Sequence, residues 1–274
     1  MNEYYSFSIP NVSNYEAKYY FSQSLKEYNP KIFPPHVHDR LEIYILIKGD
    51  VSFAVESTVY KVSSGDAIIS KPNEMHNCIL NSTSLHNHIC FWFDCTNEFL
   101  FNDFLTHDFG KGNLISPNED NKKRLNEIYA QLKDAQDKND KHKVMYLTLE
   151  MLDIFRKSIS DDTSLIQMPK VLKDILADLD ANFKTIKDLS YFTDKYFVSN
   201  STLNRLFNTY LHTTPKLYIE TKRLAYSRRL LKQGASVLYA CMESGFPDYS
   251  NYIRLFRKRF SITPKQYRNG LDLK

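Results

Sequence analysis

The sequence lacks any long uncharged apolar run. Its N-terminus, MNEYYSFSIP, has no basic region followed by an apolar stretch, and no apolar stretch elsewhere approaches the length of a membrane span. We therefore expect a protein of the cytoplasm that has no membrane partner.

Cysteine is also scarce, with 4 in 274 residues. Cys78, Cys90, Cys95 and Cys241 show neither the close pairing of a metal site nor the density of a disulfide framework, so we expect buried reduced thiols. The sequence has no Walker-type glycine-rich loop, no G-x-S-x-G and no cysteine beside a paired histidine motif. These absences predict that the protein is not an enzyme and carries no cofactor.

What the sequence has is an uneven charge. Residues 169–274 hold 19 Lys and Arg against 9 Asp and Glu, a difference of +10, whereas residues 1–168 hold 17 against 23, a difference of −6. The hydrophobic content of 42% suffices for two compact domains. The balance predicts a polyanionic partner for the C-terminal part alone.

Residues 236–268 combine two short helical patterns, a tight turn and positive charge. Apolar residues recur at helical spacing, namely Val237, Ala240 and Cys241 in the first helix and Tyr252, Leu255, Phe256 and Phe260 in the second. Gly245 can adopt the left-handed conformation of a sharp turn, and Asp248 can cap the second helix. The pattern indicates a helix-turn-helix that reads DNA, although a solvated amphipathic helix would show the same spacing.

This stretch resembles the signature of the AraC/XylS family of bacterial transcription regulators. The matching elements are Cys241, Gly245-Phe246, Tyr252, Arg254, Phe256-Arg257 and Thr263-Pro264-Lys265-Gln266-Tyr267-Arg268. Cys241 stands where the family usually has Ala, and Ser261 where it usually has Gly. The resemblance covers roughly residues 169–268 and implies an all-α domain with two helix-turn-helix units.

A weaker copy of the motif precedes the first one. It has Leu189 to Thr193, a turn at 196–198 and a second helix that Ser199 can cap. Thr193 replaces the usual Ala. Between the copies, Pro215–Lys232 predicts a connecting helix of about 27 Å, long enough to hold two recognition helices about one DNA turn apart.

The two outer helix faces carry the predicted DNA contacts. Family positions that touch bases fall on Ser201, Asn204 and Arg205, and in the second unit we expect Lys258 on phosphate. The whole predicted set is Ser199, Asn200, Ser201, Asn204, Arg205, Tyr249, Ser250, Asn251, Arg254 and Lys258.

The N-terminal part reads as short strands separated by turns. The runs are Ile43–Ile47, Val51–Val55, Val59–Val62, Ala67–Ser70 and Ile89–Phe93. Their regular spacing predicts a small β-barrel. The tyrosine-rich segment 1–30 is predicted to be an arm or an opening strand.

Residues 34–95 resemble a cupin, through His36-x-His38-x₃-Glu42 and a shortened second motif that ends at His76. In metal-binding cupins the matching residues are ligands, whereas many sensor cupins use them as polar wall. We predict no metal and assign an effector site to His36, His38, Glu42, Tyr44, His76 and Trp92. The aromatic residues Tyr44, Phe53, Tyr60 and Trp92 permit an apolar pocket, but each taken singly is more typical of plain core.

After a predicted loop at His107–Asp120, two amphipathic stripes follow. The first is Leu125, Ile128, Tyr129 and Leu132, and the second is Val144, Leu147, Thr148, Met151, Leu152 and Phe155. Packing on the barrel is one interpretation; in similar regulators a helix here forms the dimer interface, and we assign that role to the first stripe. The predicted domains are 1–160, a linker at 161–168, and 169–274.

The predicted fold class is thus α+β, with an N-terminal cupin-like β-barrel that carries dimerisation helices and a C-terminal all-α domain. The predicted function is sequence-specific transcription regulation in response to a signal sensed by the barrel. The expected partners are double-stranded promoter DNA, a small-molecule effector, RNA polymerase and a second copy of the chain. The alternative is a metal-dependent cupin oxygenase or isomerase with an accessory basic domain.

Overall fold

The computed structural model describes residues 2–8, 16–24, 34–82, 85–93, 98–159 and 165–270. The chain divides into two compact units, one containing Asp39–Ile166 and the other containing Gln167–Lys274, and each also includes part of the chain that precedes Asp39. Cys95, Ser160 and the first half of the predicted linker, residues 161–164, lie outside the described residues.

The first unit is built on antiparallel strands that form two sheets. The strands are β1 (Asn2–Ser8), β2 (Glu16–Ser24), β3 (Leu41–Lys48), β4 (Val51–Val55), β5 (Thr58–Val62), β6 (Ala67–Ser70), β7 (His76–Leu80), β8 (His86–Phe93) and β9 (Leu114–Ile115). The larger sheet has the order β1-β2-β8-β3-β6-β9, and the smaller has the order β5-β4-β7.

Both faces of the larger sheet are covered. Alternate residues such as Ile43 on β3 and Phe91 on β8 share a core with α1 (Glu98–Leu105), α2 (Glu119–Asp137) and α3 (Lys141–Lys157). The intervening residues, such as Tyr44, pack with Phe53 of the smaller sheet. This face-to-face arrangement confirms the predicted cupin-like barrel, because successive side chains of a strand point to opposite faces.

The structure also differs from the sequence prediction in several elements of this unit. Strand β7, helix α1 and the short strand β9 were not predicted, and β9 lies within the predicted loop His107–Asp120. The predicted arm contains two paired strands, β1 and β2. Only residues 138–140 separate the two stripes, since α2 runs to Asp137 and α3 starts at Lys141.

One assignment is wrong in light of these positions. The stripe on α2 that was assigned to a dimer interface is buried within the same chain, and its members Leu125, Ile128, Tyr129 and Leu132 are at most 6% exposed. They contact the core that covers the larger sheet. An apolar face that is already covered cannot also cover a second subunit, so packing on the barrel is the correct interpretation.

The second unit is helical. Its helices are α4 (Lys170–Asn182), α5 (Ser190–Tyr196), α6 (Asn200–Leu211), α7 (Pro215–Lys232), α8 (Val237–Glu243), α9 (Tyr249–Phe260) and α10 (Pro264–Arg268). The connecting helix has the predicted bounds. Thr214 caps it, and Pro215 occupies its first turn, where a missing N–H costs nothing.

Buried polar contacts hold α7 to the rest of this unit. Arg223 is 8% exposed. Its guanidinium donates to the backbone carbonyls of Phe183 at 2.9 Å and Ile186 at 2.5 Å. These carbonyls lie in the segment after α4, so one side chain ties the connecting helix to the start of the first helix-turn-helix.

Within the residues that the structure describes, no helix is both long enough and apolar enough to cross a membrane.

Candidate nucleic-acid interface and effector site

The first helix-turn-helix consists of α5, a tight turn and α6. Ser199 caps α6, since its side chain accepts the backbone N–H of Thr202 at 3.0 Å. Leu203 and Phe207 are buried, which turns the opposite face of α6 outward. The predicted cap and turn are therefore in place.

The outward face of α6 carries the predicted base-reading groups. Asn200, Ser201 and Arg205 are exposed, and Asn204 is half-buried. The amide of Asn204 donates to the backbone carbonyl of Asn200 at 2.8 Å. An exposed guanidinium with two donors that point the same way can contact guanine in a major groove.

The second helix-turn-helix repeats this geometry with α8 and α9. Asp248 caps α9 by accepting the backbone N–H of Asn251 at 2.5 Å. Tyr252 and Phe256 are buried against the rest of the unit. Arg254 is exposed and donates to the side chain of Asn251 at 2.7 Å, which aligns two of the predicted groups on one face.

The other predicted members of this face are open to solvent. Tyr249 is 45% exposed. Ser250 and Lys258 are also exposed. Three basic residues, Arg257, Lys258 and Arg259, stand in the last turn of α9. The start of α9 therefore carries hydrogen-bonding groups and its last turn carries positive charge. This arrangement suits a helix that contacts base edges at its start and phosphate at its end.

In the first unit, three predicted effector residues meet between the sheets. The indole N–H of Trp92 donates to Glu42 Oε2 at 2.6 Å. Glu42 Oε1 lies 3.9 Å from His76 Nε2, and the other ring nitrogen of His76 is 2.9 Å from the carbonyl of Glu74. A hydrogen bond from Nδ1–H to that carbonyl would orient Nε2 toward the carboxylate.

The two predicted histidines before β3 face each other, with ring centroids 5.8 Å apart. His36 and His38 belong to the compact unit that contains Gln167–Lys274, whereas Glu42 and His76 belong to the first unit. Imidazole nitrogens and a carboxylate oxygen are ligands that zinc and iron accept, so the donor types fit a cation.

Three further residues of the same interior, Cys78, His86 and His88, were not predicted as site residues. The hydroxyl of Tyr44 and His86 Nε2 are 2.5 Å apart. The His86 and His88 rings stack with centroids 4.5 Å apart, and the Cys78 thiol donates to the Tyr44 hydroxyl at 3.7 Å. The alternation His86-x-His88-x-Cys90-x-Trp92 on a strand could have revealed the two histidines, because every second residue points to one face.

Burial decides the charge of these groups. Desolvation lowers the pKa of His86 to about 4 and that of His88 to about 3, with the neighbouring His86 as a further cause for His88. Burial also raises the pKa of the Cys78 thiol to about 12. At neutral pH the two imidazoles and the thiol are uncharged, so this wall offers neutral hydrogen-bond groups beside the carboxyl group of Glu42.

Tyr60 has a structural role in the same barrel. Its hydroxyl donates to the carbonyl of Gly110 at 3.0 Å and to the side chain of Asn113 at 3.2 Å. Tyr60 and Phe53 belong to the buried core between the sheets. For these two aromatic residues the core interpretation is correct.

Comparisons with known proteins divide the chain in the same way. Residues 24–144 match a family model described as an AraC-like ligand binding domain, and residues 192–270 match a helix-turn-helix domain. The two matched spans together cover well over half of the chain. A sensor-type barrel and a helix-turn-helix domain in one chain define a DNA-binding transcription regulator. The chain belongs to the AraC/XylS family.

Named relatives are similar over most of their length. The chain is 24% identical to the HTH-type transcriptional activator RhaS of Enterobacter sp. (strain 638), over 88% of this chain and 89% of that protein. It is 25% identical to RhaS of Citrobacter koseri, with the same coverage. Among solved structures, ToxT of Vibrio cholerae matches at 13% identity over 98% of this chain and 97% of that chain, with a TM-score of 0.38.

Proposed function

We propose that this regulator reads promoter DNA with α6 and α9 and that a small molecule held between its two sheets controls the reading. The proposal rests on one observation, that the two recognition helices α6 and α9 have the same local geometry. Each recognition helix starts at a side-chain cap, buries one apolar face, exposes an Arg and carries a half-buried Asn beside it. The basic charge of +10 over residues 169–274 supplies the attraction to phosphate.

Base reading rests on the exposed faces of the two helices. In the first, Arg205 would donate twice to guanine and Asn204 would pair with adenine. In the second, Arg254 and Asn251 would take the same roles. Lys258, in the last turn of α9, would contact phosphate.

The test compares a base contact with a phosphate contact on two DNAs, a site selected by the wild-type protein and a random duplex. Arg205→Ala should weaken binding to the selected site by about 5- to 150-fold and affect the random duplex far less. Lys258→Ala should weaken both and reduce the salt slope by about one unit. Lys141→Ala, which removes an exposed charge from the other unit, serves as the matched control. Equal losses on both DNAs for Arg205→Ala would refute base reading.

Effector control is proposed for the interior of the barrel. Two polar groups line this wall, one formed by Glu42, His76 and Trp92 and the other by Tyr44, His86 and His88. His36 and His38 complete the predicted set. The right effector should change operator affinity by about 5- to 150-fold, which is the usual size of coupling between two sites.

The measurement is operator binding by the full chain across a panel of small polar metabolites. Tyr44→Phe removes one hydroxyl from the wall while keeping the ring, and it should blunt the response without changing the affinity in the absence of effector. The matched control is Tyr60→Phe, whose hydroxyl bonds to Gly110 and Asn113 and not to a residue of the polar wall. If both variants respond as the wild type does, the polar wall does not bind the effector.

Activation is proposed from the relatives, which are named transcriptional activators. An activator of this kind would bind beside a promoter in the cytoplasm and contact RNA polymerase, as a homodimer. A reporter gene behind the selected site, with and without the full chain, measures the sign of the effect. Repression in that assay would overturn activation while leaving DNA reading intact.

The enzyme alternative is favoured only by the donor atoms of His36, His38, Glu42 and His76. Stoichiometric iron, manganese or zinc in the purified protein, with turnover of a substrate, would support it. We propose instead that these residues shape the effector site and that no reaction takes place there.

A further inference from the structure

The turn of the first helix-turn-helix contains a residue that is unfavourable in two ways. Phe197 ends α5 with φ 52° and ψ 42°, a left-handed conformation. Its side chain is 95% exposed. A bulky L residue is strained at positive φ, and an exposed phenyl ring orders water around its apolar surface.

The turn itself requires the backbone conformation but not the ring. The N–H of Phe197 donates to the carbonyl of Thr193 and closes the end of α5, and the N–H of Val198 reaches the same carbonyl at 3.2 Å. The second helix-turn-helix reaches its turn with Gly245 at φ 79°. Glycine adopts this conformation without strain, so a glycine at position 197 would close the helix equally well.

Other left-handed residues of the described ranges use different side chains. Asn73 and Asn139 are residues that tolerate positive φ, and His212 and Ser261 end α6 and α9. Phe197 is the one hydrocarbon ring among the non-glycine residues that the structure describes at positive φ. With 95% of its side chain exposed, packing against other described residues does not account for it.

The presence of an exposed phenylalanine at this left-handed position is explained instead by where it lies in the helix-turn-helix. It stands two residues before Ser199, the cap of α6, so its Cα lies within about 7.6 Å of the Cα of Ser199. Asn200 and Ser201 follow in the first turn of α6, and both are exposed. In a helix-turn-helix the N-terminal residues of the second helix contact base edges, and the turn before them borders the groove.

We infer that the ring of Phe197 packs on the apolar surface of DNA, at thymine methyl groups or sugar edges beside the base pairs that α6 reads. This inference rests on the proposed function, since it needs α6 in the groove. Backbone strain that persists at a functional site is retained when the side chain makes a needed contact in the bound state. DNA binding would then bury the ring that the free protein exposes.

The experiment measures stability and DNA affinity on the same full-length variants. Phe197→Gly removes both the ring and the strain, so it should raise the melting temperature of the helical unit by about 4 °C or more. It should also weaken binding to the selected site by about 5- to 20-fold with an unchanged salt slope, because the lost contact is apolar. Phe197→Tyr keeps the ring and should bind nearly as the wild type does.

Three other results would overturn the inference. A higher melting temperature with unchanged affinity would mean that the ring does not touch DNA. A lower melting temperature would assign the ring a structural role. Unchanged DNA binding with reduced output of the reporter gene would assign it to a protein partner.

Comparison with Arg205→Ala distinguishes a failure of this inference from a failure of the proposed function. If Arg205→Ala loses binding to the selected site and Phe197→Gly does not, only the inference about Phe197 fails. If neither variant changes the preference for the selected site over random DNA, α6 is not in the groove and the proposed function fails with it. Tyr146→Ala, which removes a 61% exposed aromatic ring from the other unit, should change neither quantity.

Discussion

Gly245 stands where the turn between α8 and α9 passes closest to the backbone that follows α4. A Cβ at this position would lie 2.1 Å from the carbonyl oxygen of Lys184 and 2.7 Å from its carbonyl carbon. Both distances are far below the 3.4 Å at which ordinary contact begins. Because the obstacle is backbone and not a flexible side chain, Gly245→Ala must push two segments of the helical unit apart.

The chain offers a matched control for this change. Gly234 has φ 90°, close to the φ of 79° at Gly245, but a Cβ there would meet nothing within 4 Å. Gly234→Ala therefore carries only the conformational cost of a left-handed alanine, about 1 kcal/mol. Gly245→Ala adds the clash, which we expect to bring its cost to about 4 kcal/mol.

Hydrogen exchange of the full chain can assign the loss to the correct unit, since it reports the opening free energy of separate segments. Peptides from α8 and α9 should lose about 3 kcal/mol more protection in Gly245→Ala than in Gly234→Ala, whereas peptides from β3 and β8 should not change. Operator affinity should fall only in Gly245→Ala. If the two variants lose equal protection, the close approach to Lys184 does not exist.

Two further predictions concern the first unit. Because burial holds the pKa of His88 at about 3, below its ordinary 6.5, the unfolded chain takes up the proton first and the unit should lose stability as the pH falls from about 6.5 towards 3. His88→Gln should make this dependence shallower in thermal unfolding and leave the part that His86 contributes, since burial lowers its pKa too, whereas the exposed His142→Gln should leave it as in the wild type. Glu74 accepts three N–H groups at 2.6 to 2.9 Å, so Glu74→Ala should cost about 3–5 kcal/mol by chemical unfolding, while exposed Glu127→Ala should cost about 1 kcal/mol or less. If His88→Gln depends on pH as steeply as the wild type does, His88 is not buried as the structure shows. A negligible loss of unfolding free energy in Glu74→Ala would likewise contradict the role of its three hydrogen bonds.

The helices of the second unit could be predicted from local sequence patterns. The bounds of α7 are those predicted, and the caps Ser199 and Asp248 accept the backbone N–H groups expected of them. Caps, turns and helical spacing act between residues a few positions apart, so they can be recognised in one sequence. The weaker copy of the motif was recognised from the same local patterns, and the duplication also matches the family.

Side-chain orientation in the first unit was harder to predict. Tyr44, Trp92 and Tyr60 were named without knowing which way they point, and His86 and His88 were not named at all. All the residues from Leu41 to Leu46 are buried, because helices cover one face of the sheet and a second sheet covers the other. A strand that is buried on both faces loses the simple alternation that marks an inner face.

The first amphipathic stripe shows the same limit. Its spacing indicated an apolar helix face, which is correct. The spacing did not indicate whether that face packs on the barrel or on a second subunit. Leu125 and Ile128 pack in one core with residues such as Ile43 and Phe91, which lie much earlier in the chain. Periodicity specifies that a face must be buried and leaves open what buries it.

The sequence by itself therefore determined the two helix-turn-helix units, the connecting helix, the family and the uneven charge that points to DNA. Only the tertiary structure decided that the α2 stripe belongs to the core, that His86 and His88 join the barrel wall as neutral groups, and that Phe197 is left-handed and exposed. The division has a physical reason. Helix caps and turns depend on neighbours in sequence, whereas burial, the pKa shifts it causes and close backbone approaches depend on segments that meet only after the chain has folded.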